Sequence, residues 1–314
     1  MKMKNFILYT LLAVLISSGC AGKKKYDSKE YKLAVYPGKE QTLDIRGIRI
    51  VFIDESPSSD WQGVPILFIH GLSGDISDWE ASITYFKEKR RVLALDLPGH
   101  GKSEKRNDIP YGRALFTEVV SEFLQARGVE SAIVVGNSMG GMTSASLALA
   151  HPEQVRILIL SDPAGIPFYP YIIRKSSRLI TPGIVHHFWA NPKTMERTGG
   201  NAFAHPENYP RRRIEEDIAL ISQPNAKEYS YAVARSLQDA AKQDMRDELK
   251  NITCHTLIIW GEKDTIIPPK YAAQWHKAIA GSELVIIPDS GHIPMLETPE
   301  IFNKTVEEFI EKNL

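Results

Sequence analysis

The stretch Val134-Val135-Gly136-Asn137-Ser138-Met139-Gly140-Gly141 decides the fold. The apolar run Ala132 to Val135 reads as a strand that stops at a glycine, and Thr143 to Ala150 reads as a small-residue helix. Between them lies Gly136-x-Ser138-x-Gly140, in the setting of strand, sharp turn and helix that a nucleophile elbow requires. Glycine suits both flanks, because the turn brings backbone segments together where a β-carbon would clash. The pentapeptide is also compatible with an ordinary turn serine, so the surrounding strands must decide.

The chain of 314 residues is long enough to bury a sizeable core, as one large domain or a domain with an insertion. Its 38 basic and 38 acidic residues balance, which removes any global electrostatic argument for a nucleic-acid partner. The two cysteines, Cys20 and Cys254, argue against a disulfide scaffold. Cys254 precedes an apolar run and is expected to be a buried core thiol.

Residues 1–19 read as a processing segment: Lys2 and Lys4, an apolar stretch from Phe6 to Ile16, then Ser17-Ser18-Gly19 before Cys20. The apolar stretch is short for a permanent membrane span. Small residues directly before a cysteine resemble a bacterial lipobox, although Ser17 stands where leucine is usual. The resemblance implies a lipidated Cys20, and Ala21 after it implies the outer membrane of the cell envelope. Several acyl chains would hold firmly, where one alone binds marginally. The alternative is an ordinary secretory signal with an incidental cysteine. Residues 20–40 are polar and read as a tether.

Along the rest of the chain, Leu43 to Ile45 and Ile48 to Ile53 form a hairpin pattern through Arg46-Gly47. Pro65 to Ile69 is a continuous apolar run that suits a central strand covered on both faces; Arg91 to Leu95 and Arg156 to Leu160 read as buried core strands, Thr256 to Trp260 resumes the strand pattern, and Leu284 to Ile287 is a last strand. Helical patterns open at Asp78-Trp79 and cover Leu115 to Ala126, Tyr271 to Ile279 and Pro299 to Glu311. Such alternation implies an α/β fold, a mostly parallel sheet with helices on both faces. Residues 41–165 and 250–314 make the core. Residues 166–249 break the rhythm and read as an inserted helical lid.

A serine hydroxyl needs a base to take its proton, and the base needs an orienting carboxylate. In open α/β sheets such groups lie beyond the carboxyl ends of strands. Asp264 and His292 follow the strands ending near Trp260 and Ile287, so the order is Ser138, Asp264, His292. Taken singly, Asp264 reads equally as a turn residue and His292 as a helix cap; together they form a sequence of three after successive strands. Acyl transfer also needs donors for the developing oxyanion. The backbone N–H groups of Met139, directly after the nucleophile, and of Leu72, after the strand 65–69, are placed for it. Asp162 is a secondary candidate for the acid, otherwise ordering the Pro163 turn. Asp96, His100 and Asp289 read as loop-shaping residues. Arg211 to Arg213 read as a solvated basic face, with anionic lipid headgroups as the functional alternative. His186-His187 is no metal site, since adjacent helical residues do not converge on one ion. No metal or cofactor is called for, and His70-Gly71-Leu72-Ser73-Gly74 lacks the spacing of a dinucleotide loop.

His70-Gly71, the loop Asp96-Leu97-Pro98-Gly99-His100-Gly101-Lys102-Ser103, the elbow, Gly261-x-x-Asp264 and Gly291-His292-x-Pro294-x-x-Glu297 occur in order. As a set they closely resemble the α/β-hydrolase superfamily, over roughly 45–165 and 250–314. The resemblance implies an eight-stranded sheet, Ser138 as nucleophile, His292 as base, Asp264 as acid, and Leu72 and Met139 as oxyanion amides. With Asp78-Trp79, Gly136 to Gly141 and Asp162-Pro163-Ala164-Gly165, the nearest likeness is to cold-adapted bacterial lipases and the monoacylglycerol lipase-like group. Dehalogenases and epoxide hydrolases carry Asp at the nucleophile, where this chain has Ser138. The implied activity is carboxylic ester hydrolysis, on a small-molecule or lipid ester, with no obligate protein partner. The alternatives are a carbon–carbon bond hydrolase of the meta-cleavage type, which shares Gly-Asn-Ser-Met-Gly-Gly, and a non-catalytic envelope lipoprotein that keeps the fold.

Overall fold

The computed structural model of the protein describes residues 32–168, 177–189, 199–208 and 210–314. The expected hairpin forms from β1 (Gln41–Ile45) and β2 (Ile48–Glu55), turned through Arg46 and Gly47, both at positive φ. With β3 (Ile66–Ile69), β4 (Val92–Leu95), β5 (Ala132–Asn137), β6 (Val155–Ser161), β7 (His255–Gly261) and β8 (Glu283–Ile287) it makes one eight-stranded sheet. The order is β1-β2-β4-β3-β5-β6-β7-β8, antiparallel at β1–β2 and β2–β4 and parallel elsewhere.

Strand alternation divides the core into two layers. Leu67 and Ile69 of β3 pack with Phe116 and Phe123 of α2 (Arg113–Ala126), Met142 of α3 (Met139–Ala150) and Trp275. Ile66 and Phe68, pointing the other way, pack with Ile83 and Phe86 of α1 (Glu80–Phe86) and with Phe302 and Val306 near the C-terminus. Side chains of period two on strands must separate so. Phe116, Val119, Val120, Phe123 and Leu124 recur at helical spacing, which gives α2 one apolar face for the sheet.

Between β6 and β7 the chain leaves the sheet and forms α4 (Pro182–Trp189), α5 (Arg211–Ile221) and α6 (Ala226–Ala240). After β7 come α7 (Ala272–Ala278), which carries Trp275, a single helical turn at Pro294–Glu297, and α8 (Pro299–Asn313), which carries Phe302 and Val306. Val185, Leu220, Tyr229, Val233 and Ala234 make a small core of the insertion, and Leu72 and Leu33 pack against it. Among the described residues no helix is long and apolar enough to cross a membrane. The processing segment and Cys20 lie outside the described residues, as do Tyr169 to Tyr171 and the side chains of His187 to Trp189.

Three expectations are corrected. The helix after the elbow starts at Met139, directly behind the serine, rather than at Thr143. Cys254 is half-buried against the core, and burial pushes its thiol up. The tether expected to run to residue 40 ends earlier, because Ala34 and Tyr36 are buried. The Tyr36 hydroxyl donates to Asp96 Oδ2 at 2.6 Å, and the N–H groups of Lys102 and Ile76 reach the same carboxylate at 2.6 and 3.0 Å. Asp96 thus does shape its own loop, as expected, and also holds the incoming chain.

Burial and the charge of Asp75 push Asp96 up to about 7, with the Tyr36 hydroxyl pulling the other way. The folded carboxyl therefore keeps its proton over a range where the unfolded chain, titrating near ~4, has released it. Its contribution to stability falls as pH rises from about 4 through 7. Removing the hydroxyl that favours the ionised form should hurt most above that range. Tyr36→Phe is expected to cost about 1–3 kcal/mol, with a larger loss at pH 8 than at pH 5 in urea melts.

Candidate active site

Ser138 joins the end of β5 to the first residue of α3 with φ 54° and ψ −116°, a backbone that side-chain-bearing residues rarely hold. Three hydrogen bonds fix it: Ser138 N–H to Ser161 O (3.0 Å), and the N–H groups of Met142 and Ala164 to Ser138 O (3.0 and 2.9 Å). The glycines are required by contact. A β-carbon at 136 would overlap Gly140 O and Ser144 Oγ, and one at 140 would overlap Ile69 O. Helix α3 therefore lies directly on the end of β3, its N-terminal N–H groups at the serine.

Asp264 and His292 come together although 28 residues separate them: His292 Nδ1 lies 2.7 Å from Asp264 Oδ2, both side chains buried. The carboxylate also accepts from the N–H groups of Ile266 and Ile267 at 2.7 and 2.9 Å through Oδ1. Nδ1 thus carries the proton, and Nε2 is left as the basic nitrogen. The two loops meet because Gly261 has no side chain, as a β-carbon there would overlap Gly291 O. Asn137 next to the serine donates to His292 O at 2.9 Å. Ser138 and His292 both line one cavity of about 330 Å³, with Leu72, Met139, Ala164, Phe168, Leu237 and Ile266 among its apolar walls.

Leu72 follows Gly71, where a β-carbon would sit 3.3 Å from Ser138 Cβ, so this loop passes over the serine. His70 sets it. Burial lowers its pKa to about 4, so the ring is neutral, with Nδ1 donating to Gly71 O (2.7 Å) and Nε2 accepting from Leu97 N–H (3.0 Å). Sequence reasoning missed this role and that of Asn137. It also missed Glu297, whose carboxylate accepts from Gly291, Ala204 and His205 N–H groups and ties the insertion to the His292 loop. The motif Gly-His-x-Pro-x-x-Glu carried the signal for Glu297; its partners at 204 and 205 had none.

His100 is buried and bonded to Pro98 O at 3.0 Å, a loop residue as expected. Asp289 turns the backbone at φ 56° and pairs at the surface with Lys263 and His205. Among the described residues, the group able to converge on an ion is Asp162, Asp264 and His292. Its donor set suits hydrogen bonding: an ion there would displace the Nδ1 bond to Asp264.

Arg213 overturns the reading of a solvated basic face. Arg211 is exposed, but Arg213 is buried and reaches from α5 to Asp78 Oδ1 (2.6 Å), Asp75 Oδ1 (3.2 Å) and Ser77 Oγ. Charge explains the burial, since Asp75 and Asp78 lie under α5 and a guanidinium can fork between them. Burial, against the pull of Arg213, pushes Asp78 up to about 7, with Asp75 and Asp217 adding to the rise. Removing one partner of such a group strands the other charges. Arg213→Met is expected to destabilise the folded insertion by about 3–5 kcal/mol and to expose it to limited proteolysis before the sheet unfolds.

Residues 64–299 match the family described as alpha/beta hydrolase fold. The dihydrolipoyllysine-residue acetyltransferase component of the acetoin cleaving system of Pseudomonas putida is 28% identical over 258 residues, covering 80% of this chain and 64% of that one. The chain thus spans less than two thirds of that relative. The 2-hydroxymuconate semialdehyde hydrolase of Pseudomonas sp. (strain CF600) is 29% identical over 79% of this chain and 87% of its own. The pimeloyl-[acyl-carrier protein] methyl ester esterase of Legionella pneumophila is 26% identical over 80% and 96%. Among solved structures, a bacterial membrane phospholipase A is similar with a TM-score of 0.70 at 25% identity, covering 99% of both chains. The family match runs from the start of β3 past the His292 loop, and on that extent the chain belongs to the α/β-hydrolase fold family.

Proposed function

We propose that the protein is a serine hydrolase of carboxylic esters, acting on lipid esters such as monoacylglycerols through an acyl-enzyme on Ser138. The observation that carries this reading is one cavity lined by both Ser138 and His292 between mainly apolar walls, with Asp264 bonded to the His292 ring. His292 Nε2 takes the hydroxyl proton as Ser138 Oγ attacks the ester carbonyl. The Leu72 and Met139 amides hold the oxyanion. The imidazolium then gives its proton to the departing alcohol, and water activated by the same nitrogen releases the acid. Asp264 keeps Nδ1–H oriented and balances the charge that forms on the ring. No cofactor is needed.

The lining of the cavity suits a lipid ester. Leu237, Ala240, Ile266 and Phe168 offer an acyl chain an apolar wall, and Ser73, Asp78, Arg213 and Tyr229 add polar groups. Likeness to a membrane phospholipase A along the whole chain supports a lipid ester, and the methyl ester esterase among the relatives supports ester chemistry. Anchoring through lipidated Cys20 would hold this cavity at a membrane of the envelope. The second reading is carbon–carbon bond hydrolysis, favoured by the 2-hydroxymuconate semialdehyde hydrolase and by the shared Gly-Asn-Ser-Met-Gly-Gly. By resemblance that group carries an aromatic after its histidine, where this chain has Ile293.

The test is hydrolysis of p-nitrophenyl esters and monoacylglycerols of graded chain length by detergent-solubilised full-length protein. Intact mass is read after a fluorophosphonate. Ser138→Ala should lose the label and about a million-fold in kcat. Labelling without ester turnover would move the reading to carbon–carbon bonds. A folded wild type that neither labels nor turns over would make it a binding module. In cells, radiolabelled palmitate should enter the wild type and not Cys20→Ala; a soluble, unlabelled wild type would sink the anchor.

A further inference from the structure

We infer that Asp162 is a second carboxyl of the active site, held as the neutral acid beside Asp264 and able to replace it in orienting His292. The inference rests on the reading of Ser138 as nucleophile, and it adds a positioning residue to that machinery.

Asp162 leaves β6 beside the strand that delivers Ser138. Its side chain is fully buried, and its backbone stands at φ 46°, in the left-handed region, immediately before Pro163. Oδ1 accepts from Gly261 N–H at 2.8 Å, and Oδ2 accepts from Ser161 Oγ at 2.9 Å. One oxygen of Asp162, one of Asp264 and a ring nitrogen of His292 all lie within 4.8 Å of one another. The titratable groups facing Asp162 are thus Asp264, from the loop after β7, and His292, from the loop after β8.

Two buried carboxylates this close do not both stay ionised. The hydrogen bonds decide which keeps the charge. Asp264 receives two backbone N–H groups and the imidazole, whereas Asp162 receives one N–H and a hydroxyl. The charge therefore sits on Asp264 and the proton on Asp162. Burial, and then the charge of Asp264, hold the Asp162 carboxyl well above the usual carboxylate range. A residue kept both buried and at positive φ costs stability, and such strain concentrates at functional sites.

The arrangement makes the pair behave unequally. Removing Asp162 removes no charge, so His292 should not notice. Removing Asp264 lifts the repulsion on Asp162, which then ionises within reach of the same ring and takes its N–H.

The experiment measures the rate of Ser138 labelling by a fluorophosphonate and the pH profile of p-nitrophenyl ester hydrolysis in the full-length protein. Asp162→Asn should leave the acid limb of kcat/KM at the pH where wild type has it, whatever the change in rate. Asp264→Ala should keep residual labelling, and adding Asp162→Asn to it should remove at least about ten-fold more, a strong departure from additivity. A lowered acid limb in Asp162→Asn would mean that Asp162 is charged, and a double variant equal to Asp264→Ala would mean that it never takes over; either overturns the inference. Wild type that resists the fluorophosphonate would instead overturn the serine-hydrolase reading, and this inference with it. In the infrared difference spectrum of wild type against Asp162→Asn a carboxylic-acid carbonyl band should appear at the pH of the assay, and its absence overturns the inference.

Discussion

Ser138 can hold its left-handed backbone because the positions two before and two after it carry no β-carbon. Helix α3 lies so close to the end of β3 that Gly140 touches the carbonyls of Ile69 and His70, and Gly136 lies against Gly140. This contact decides more than the serine. The close approach brings the N-terminus of α3 and the loop after β3 together at the serine. Serine 73 and Asp162 are also at positive φ, at 64° and 46°, and they flank the site on the loops after β3 and β6. Such residues cost about 1–3 kcal/mol each, and the buried layers on both sides of the sheet must offset that.

The sheet, and the places of Ser138, Asp264 and His292 on the loops after its strands, were legible because they rest on short-range rules. Continuous apolar runs gave β3 to β7 nearly to the residue, since a strand covered on both faces admits little else; β8, at the sheet edge and partly exposed, was marked by its apolar run alone. Ser138, Asp264 and His292 could be read because each follows such a run within a few residues. Where a boundary failed, the cause is equally local: the helix after the elbow begins at Met139, whose environment is the turn itself, not the later small-residue pattern. Arg213 was not legible. A run of three arginines says that charge is present, and only the fold says that the third faces Asp75 and Asp78, 135 residues and more away in the chain. Asn137, His70 and Glu297 were seen as motif letters, while their work lies in partners that no spacing reveals.

Those long-range partners share one target. His70 bonds Gly71 O, Asn137 bonds His292 O, and Glu297 gathers three N–H groups from the His292 loop and the insertion. Each fixes backbone rather than a reacting atom. Loops at the ends of strands have no ladder to satisfy their N–H and C=O groups, and buried ones must find a side chain instead. The polar residues crowded around this site are therefore, first, what allows irregular backbone to be buried there at all.

The same demand shapes the insertion. Its helices α5 and α6 pack on one another and on Leu72 through a core of only a few side chains, Leu220, Tyr229 and Val233 among them. So small an apolar patch holds a helical layer weakly. Ala232 of α6 also joins the main core, Glu297 holds the backbone at 204 and 205, and the ionic contact of Arg213 with Asp75 and Asp78 adds a further hold on the segment just after the Leu72 loop. Burying these groups costs desolvation, and the cost is recovered only while all three stay together in one geometry. A layer held in this way is docked in a definite register or not docked, with little between. The insertion, whose Arg213 and Tyr229 line the cavity, is therefore tied by one group of charges to the segment that follows Leu72.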